Sequence, residues 1–157
     1  MSTWLPPHIS KIYEALTAIA DKRIEKVSEN KARITSSSRG KYYTITYDPT
    51  TSSIMSNDNT AYYTGSISYP MIALLMLKGV IDYDKSLLNP LSKIVWKDIM
   101  QKYKNDYDKG IEDILATLSK KGINIEEIRA KITPMYNLAC SLTLNYLGEK
   151  IAPPKAY

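Results

Sequence analysis

Apolar residues recur at spacings of three and four from Ile9 onward: Ile12, Tyr13, Leu16, Ile19, Ala20, Ile24 and Val27. That period predicts one helix of about five to six turns carrying a single apolar stripe. Pro6 and Pro7 suit its start. Asp21, Lys22, Arg23, Glu25, Lys26 and Glu29 fill its second half with mixed charge, the pattern of a solvated face. After Asn30 the period changes from helical to alternating. Residues 32–35 and 41–47 are short and rich in β-branched and aromatic types, with a turn-forming Ser37-Ser38-Arg39-Gly40 between them. Along the second run Tyr43, Ile45 and Tyr47 share one face, and Tyr42, Thr44 and Thr46 share the other. Asp48-Pro49 and Asn57-Asp58-Asn59 mark further turns, so residues 52–55 and 61–67 read as third and fourth strands. The expected product is an antiparallel meander with one face leaning on helices.

The helical pattern returns at Pro70. The run MIALLMLKG is apolar nearly all round, which predicts a central helix closed by Gly79. Asp84 reads as a cap before a segment broken at Pro90. A helix follows over about residues 92–103, another around Ile111, Ile114, Leu115 and Leu118 ends at Gly122, and Asn124 with Glu127 caps the next. Pro134 reads as the start of a last helix that stops at Gly148, followed by a frayed or partner-binding tail. The fold class is therefore α+β: a predominantly helical core with a small antiparallel β-sheet insertion after the first helix. Residues 1–30 and 69–157 form the helical domain, and 31–68 the insertion.

The chain has 157 residues, a net charge of +5 and a pI near 9.1, which suit one soluble domain and a polyanionic partner. Its richness in Ile, Lys and Tyr resembles proteins of thermophilic archaea. Cys140 is the one cysteine, set in an apolar run that predicts burial, so no intrachain disulfide forms. No basic-then-apolar leader opens the sequence, and the longest apolar run is far too short to span a bilayer. A cytoplasmic location without membrane contact is the expectation.

Catalytic signatures are missing. His8 is the single histidine and reads as a surface residue at a helix start. No cysteine–histidine metal spacing, phosphate loop or dinucleotide fingerprint occurs. Asp82, Asp84, Asp106, Asp108, Glu112 and Asp113 are interleaved with lysines and read as caps and ion pairs. The expectation is a non-enzyme with no cofactor and no metal.

The candidate chemistry is cations beside flat rings, the pairing that single-stranded nucleic acid needs. Arg33, Arg39 and Lys41 lie close in sequence to Tyr42, Tyr43, Tyr62 and Tyr63. A second set, Lys93, Lys97 and Lys104, falls at spacings that share one helical face, with Trp96 and Tyr103 nearby. The candidate nucleic-acid-binding residues are therefore Arg33, Arg39, Lys41, Tyr42, Tyr62, Lys93, Lys97 and Lys104. The plainer reading leaves the tyrosines filling a sheet and Trp96 in the core. A helix-turn-helix is disfavoured because its only candidate, residues 120–131, carries Glu126 and Glu127 where a phosphate-facing helix start should lack acid.

Residues 9–34, the strand KYYTITYD and the helix in YPMIALLMLKG together resemble the small subunit of archaeal subtype I-A CRISPR effector complexes, the archaeal Cascade. The likeness covers most of the chain in order but no short motif anchors it, so no binding residue carries over. It implies a non-catalytic subunit of an antiviral, RNA-guided surveillance complex. Its partners would be other effector-complex subunits, above all the guide-coating backbone protein, with guide RNA, target DNA or its displaced strand, and possible self-association. The alternative is a free-standing archaeal DNA- or RNA-binding or regulatory protein.

Overall fold

The first helix is shorter than its apolar stripe. In the computed structural model, which describes residues 2–155, α1 spans Ser10–Ala20. Asp21 caps it and Lys22 takes a left-handed conformation at φ 55°. The Arg23 amide then reaches back to the Ala18 carbonyl (2.9 Å), and the Lys22 amide to that of Ile19 (3.1 Å). This is a Schellman closure with lysine where glycine is usual. Ile24 and Val27, expected on the helix, instead belong to strand β1, Ile24–Ser28.

β1 opens a sheet with β2 (Lys31–Thr35), β3 (Tyr42–Asp48) and β4 (Ser53–Ser56), each antiparallel to the one before. Alternation along β2 and β3 puts Ala32, Ile34, Tyr43, Ile45 and Tyr47 inside and leaves Lys31, Arg33 and Tyr42 outside. The inner face joins the helices in one hydrophobic core, so the sheet forms a wall of that core.

The expected fourth strand is a helix. α2 spans Asn59–Thr64, because Asp58 caps it by accepting the Ala61 amide at 2.9 Å. Buried Asp58 also accepts the Ser56 and Ser68 hydroxyls at 2.6 Å each, and Gly65 closes the helix at φ 66°. The fifth strand of the sheet comes from far along the chain. β5, Asn145–Tyr146, pairs in parallel with β4, giving a five-stranded mixed sheet in the order β1-β2-β3-β4-β5. The sheet thus draws strands from both sides of residues 31–68. The overall class is α+β.

α3, Tyr69–Leu77, packs against β3, β4 and α1. Gly79 closes it as the sequence predicts, with the Val80 amide on the Leu75 carbonyl at 2.9 Å. A 3-10 turn over Lys85–Leu87 starts at Asp84, whose side chain accepts the Ser86 amide. α4 is only Trp96–Lys102, then come α5, Tyr107–Lys120, and α6, Ile125–Ser141. Asn124 caps α6 as expected, but Pro134 lies inside that helix instead of starting a new one. Pro134 and Ala130, whose carbonyl it leaves unpaired, both face solvent, where water can take the bond. Cys140 is half-buried on α6.

α5 and α6 also pack on α1, whose residues 10–18 are all buried. His8 sets its start: Nδ1 accepts the Ser10 amide at 3.0 Å, leaving Nε2 to donate to Asp108 at 3.0 Å. The segment before it straps the sheet. Trp4, 3% exposed, donates its indole N–H to the Ile54 carbonyl (2.8 Å) and stacks on Tyr146 with ring centroids 4.0 Å apart. Among the described residues no helix is long and apolar enough to cross a membrane.

Candidate nucleic-acid interface

The loop from Thr35 to Tyr42 organises the candidate site. The Ser36 amide donates to the Lys41 carbonyl and the Arg39 amide to the Ser36 carbonyl, both at 2.8 Å. This tight turn holds Arg39 exposed at φ 60°. Ser37 reaches across the fold: its hydroxyl accepts the Lys97 amide at 3.1 Å, satisfying a first-turn donor of α4. Opposite the loop, Lys93 sits at φ 63°, and its amide donates to Asp21 Oδ1 at 2.8 Å.

These bonds bring Arg39 and Lys93, far apart in sequence, to one open cleft of about 730 Å³. Lys22, Arg23 and Asp21 from the end of α1 complete its charged lining. Arg23 is buried, donating through Nη1 to the Thr35 carbonyl at 2.6 Å, and its Nη2 lacks a hydrogen-bond partner. Three exposed cations, Lys22, Arg39 and Lys93, therefore share the cleft with one carboxylate, and that carboxylate already accepts a backbone amide.

Ser37 also lines a second, deeper pocket of about 310 Å³, shared by Lys11, Glu14, Lys41 and Lys97. Lys11 and Glu14 pair at 3.1 Å, and the Lys11 ammonium stands 4.5 Å from the Tyr107 ring centroid. Burial lowers the Lys11 pKa, but the Glu14 charge, with Tyr107, a hydrogen bond to Glu14 and Asp58, lifts it above the ordinary lysine value. Burial pushes the Tyr43 phenol up to about 12, with the Asp58 and Glu14 charges adding to it, and raises that of Tyr69.

Lys22 and Arg23 extend the band to a hollow of about 270 Å³ on the outer sheet face, with Glu25, Arg33 and Tyr42. Arg33 stands across the strands from Glu25, bonds its carboxylate through Nε at 3.0 Å, and lies 5.0 Å from the Tyr42 ring centroid.

Of the eight expected residues, six fall along this band: Arg33, Tyr42, Arg39, Lys93, Lys41 and Lys97. Two do not. Tyr62 lies on α2, edge-on to Tyr63 at 5.0 Å, with its carbonyl accepting the Lys150 ammonium. Lys104 closes α4 in a left-handed conformation at φ 52°, just as Lys22 closes α1. Lys93, Lys97 and Lys104 do not share a helical face, because α4 begins after the first and ends before the last. Tyr43 and Trp96 are core residues; the Trp96 indole donates to Thr17 Oγ1 at 2.9 Å. Sequence reasoning missed Lys22 and Arg23, which it placed on a solvated helix face. It also missed Lys11 and Glu14, whose only signal was two charges within an otherwise apolar turn.

A family profile matches residues 4–145. The chain belongs to the family described as Uncharacterised conserved protein UCP014422. The matched span runs from Trp4 to β5 and contains every residue named along the band. No curated protein and no solved structure matches the chain.

Proposed function

We propose that this protein binds the sugar–phosphate backbone of single-stranded nucleic acid along the band from Lys97 through Arg39 and Lys93 to Arg33, without catalysing a reaction. The observation that supports this most is the convergence of the exposed Lys22, Arg39 and Lys93 on one cleft. Phosphates passing there would release counterions, which makes binding independent of sequence and sensitive to salt. A flexible strand can follow the bend at Ser37. Tyr42, 42% exposed beside Arg33, offers a surface for base stacking. The resemblance noted in the sequence supplies the setting: a small cytoplasmic subunit beside the guide-coating protein of an RNA-guided complex, where base pairing reads sequence and the protein holds backbone.

The test is fluorescence anisotropy with single-stranded DNA and RNA over a salt series, using the Arg39→Gln, Lys93→Gln double variant. Both substitutions keep a long side chain at a left-handed position. Affinity falls for all sequences alike. The slope of log affinity on log salt becomes shallower by about 0.7 for each phosphate that is no longer neutralised. An unchanged slope removes the cleft from the interface. Affinity purification followed by mass spectrometry distinguishes a complex subunit from a free-standing binder.

A further inference from the structure

We infer that the aliphatic groove between residues 89–95 and α5 docks an amphipathic helix of a protein partner, one that carries carboxylates beside its apolar stripe. The inference goes beyond the backbone-binding reading and does not depend on it.

The groove is a core-like face without a cover. Ile114 and Leu118 of α5 and its cap Lys121 fall at i, i+4 and i+7, so one stripe of that helix lines it. Ile94 and Val95 line it from the segment before α4, with Ile99 of α4 and Ile123 of the turn before α6. The space among them is about 520 Å³. Val95 is 39% exposed, and Ile94, Ile99 and Ile123 are only half-buried. Covering them removes apolar surface from water. These six apolar side chains are all aliphatic, so the groove offers no ring for a base to stack on.

Length and shape select a helix. From Ile114 to Lys121 the α5 axis advances about 10 Å, close to two helical turns. A helix laid there reaches the groove with residues at i, i+3 or i+4, and i+7, the pattern of helix-in-groove recognition. A lipid chain needs a slot that encloses its methylenes. Val95 and Thr117, both exposed, leave this groove open to water.

Charge selects the flanks of that helix. Exposed Lys93 and Lys121 stand on the groove against one carboxylate, Asp98. Among the described residues none of the three has an ion-pair partner. Asp98 lies in the first turn of α4, where the positive end of the helix offsets its charge. The groove therefore presents a positive rim to an incoming surface. Lys93, Ile94 and Val95 also line the cleft, so this segment is a ridge between the two surfaces.

The test uses two model peptides of about 15 residues, cross-linked to hold a helix that would be marginal alone. Both carry leucines at i, i+3 and i+7; glutamates flank the stripe in one and lysines in the other. Each is titrated into the full chain, with isoleucine and leucine methyl resonances as the readout. The glutamate peptide should shift Ile99, Ile114, Leu118 and Ile123 and bind roughly three- to tenfold tighter than the lysine peptide. High salt should erase that preference and leave the apolar part of the binding. Lys121→Glu should remove or invert the preference. Thr117→Trp, which fills the groove from an exposed position, should abolish binding of both peptides and leave single-stranded DNA affinity unchanged. Peptide binding without strand binding keeps the groove and removes the band. Equal binding of the two peptides, or no methyl shift at millimolar peptide, overturns the inference. So does a shift of the same methyls by dodecanoate or an oligonucleotide but by neither peptide. A dimer in sedimentation that Thr117→Trp splits gives the groove to a second copy of the chain and overturns it as well.

Discussion

Lys11–Glu14 and Arg33–Glu25 are chemically the same kind of pair in two different solvents. The first lies under α3, α4 and the loop before β3, nearly out of reach of water. The second crosses β1 and β2 on the outer face, with 48% and 62% of its side chains exposed. Water and salt screen the outer pair, so it can open and lend Arg33 to a phosphate at little cost. The inner pair cannot part without stranding a charge in a low dielectric. An exposed cation is thus available for binding without being needed for folding. A buried one is committed to both.

The largest expected effect breaks the inner pair. Glu14→Ala should lower stability by about 3–5 kcal/mol, because Lys11 is left buried and unpaired. In the same urea titration Arg33→Ala should leave the midpoint nearly unmoved. Replacing both inner partners, Lys11→Met with Glu14→Leu, should recover most of the loss. If Glu14→Ala is as mild as Arg33→Ala, the contrast between the two pairs fails.

A smaller effect comes from alkali. Burial keeps the Tyr43 phenol protonated to about pH 12 in the fold, while the unfolded chain releases that proton near 10. Between those values the folded state holds more protons, so stability falls as pH rises. Lys11, raised above its ordinary value, acts in the same direction: its contribution is full below 10.5 and is lost through its higher folded value. Arg33 stays charged throughout. Urea midpoints measured from neutral pH to about 12 should decline, and Tyr43→Phe should flatten part of that decline. A flat wild-type profile would remove the inner pocket's hold on these protons.

The smallest effect separates charge from backbone at Lys22. Its ammonium is exposed, but its φ of 55° is one that glycine adopts without strain. Lys22→Gly should raise stability by roughly 0.5–1 kcal/mol while weakening strand binding. Gly79→Ala, at φ 76°, should move stability the opposite way. A less stable Lys22→Gly would mean that the charge matters more than the turn.

The same lysine explains where the sequence was hard to read. Gly79 and Gly122 announced their helix ends, and Asp84 and Asn124 their caps, because those residue types carry the local physics. Lys22 and Lys104 perform the closure of Gly79 without its signature, so the apolar period runs on past the end of α1 and the lysine spacing suggests a helical face that Lys104 does not join. Asp58 is legible as a turn residue. That it builds a helix depends on Ser56 and Ser68 bringing it inside, which no short window contains. The faces of β2 and β3 were legible from alternation alone, whereas β5 was not, being two residues paired in parallel across the fold. For the site, the residue types were legible but their company was not. Arg39 and Lys93 meet only because α1 stops at Asp21 and leaves an acceptor for the Lys93 amide.

The strap of residues 2–5 and the strand at 145–146 meet on the same flank of β4. This has a consequence for biosynthesis. While the chain emerges from the ribosome, β1 to β4 can pair as soon as they appear, since each neighbour is the next segment made. The outer edge of β4 stays bare until residue 146 arrives, and Trp4 waits all that time for Tyr146. An open edge beside an unburied tryptophan invites pairing with another nascent chain. Chains stopped before Asn145 are therefore the ones that should depend on chaperones and appear in inclusion bodies.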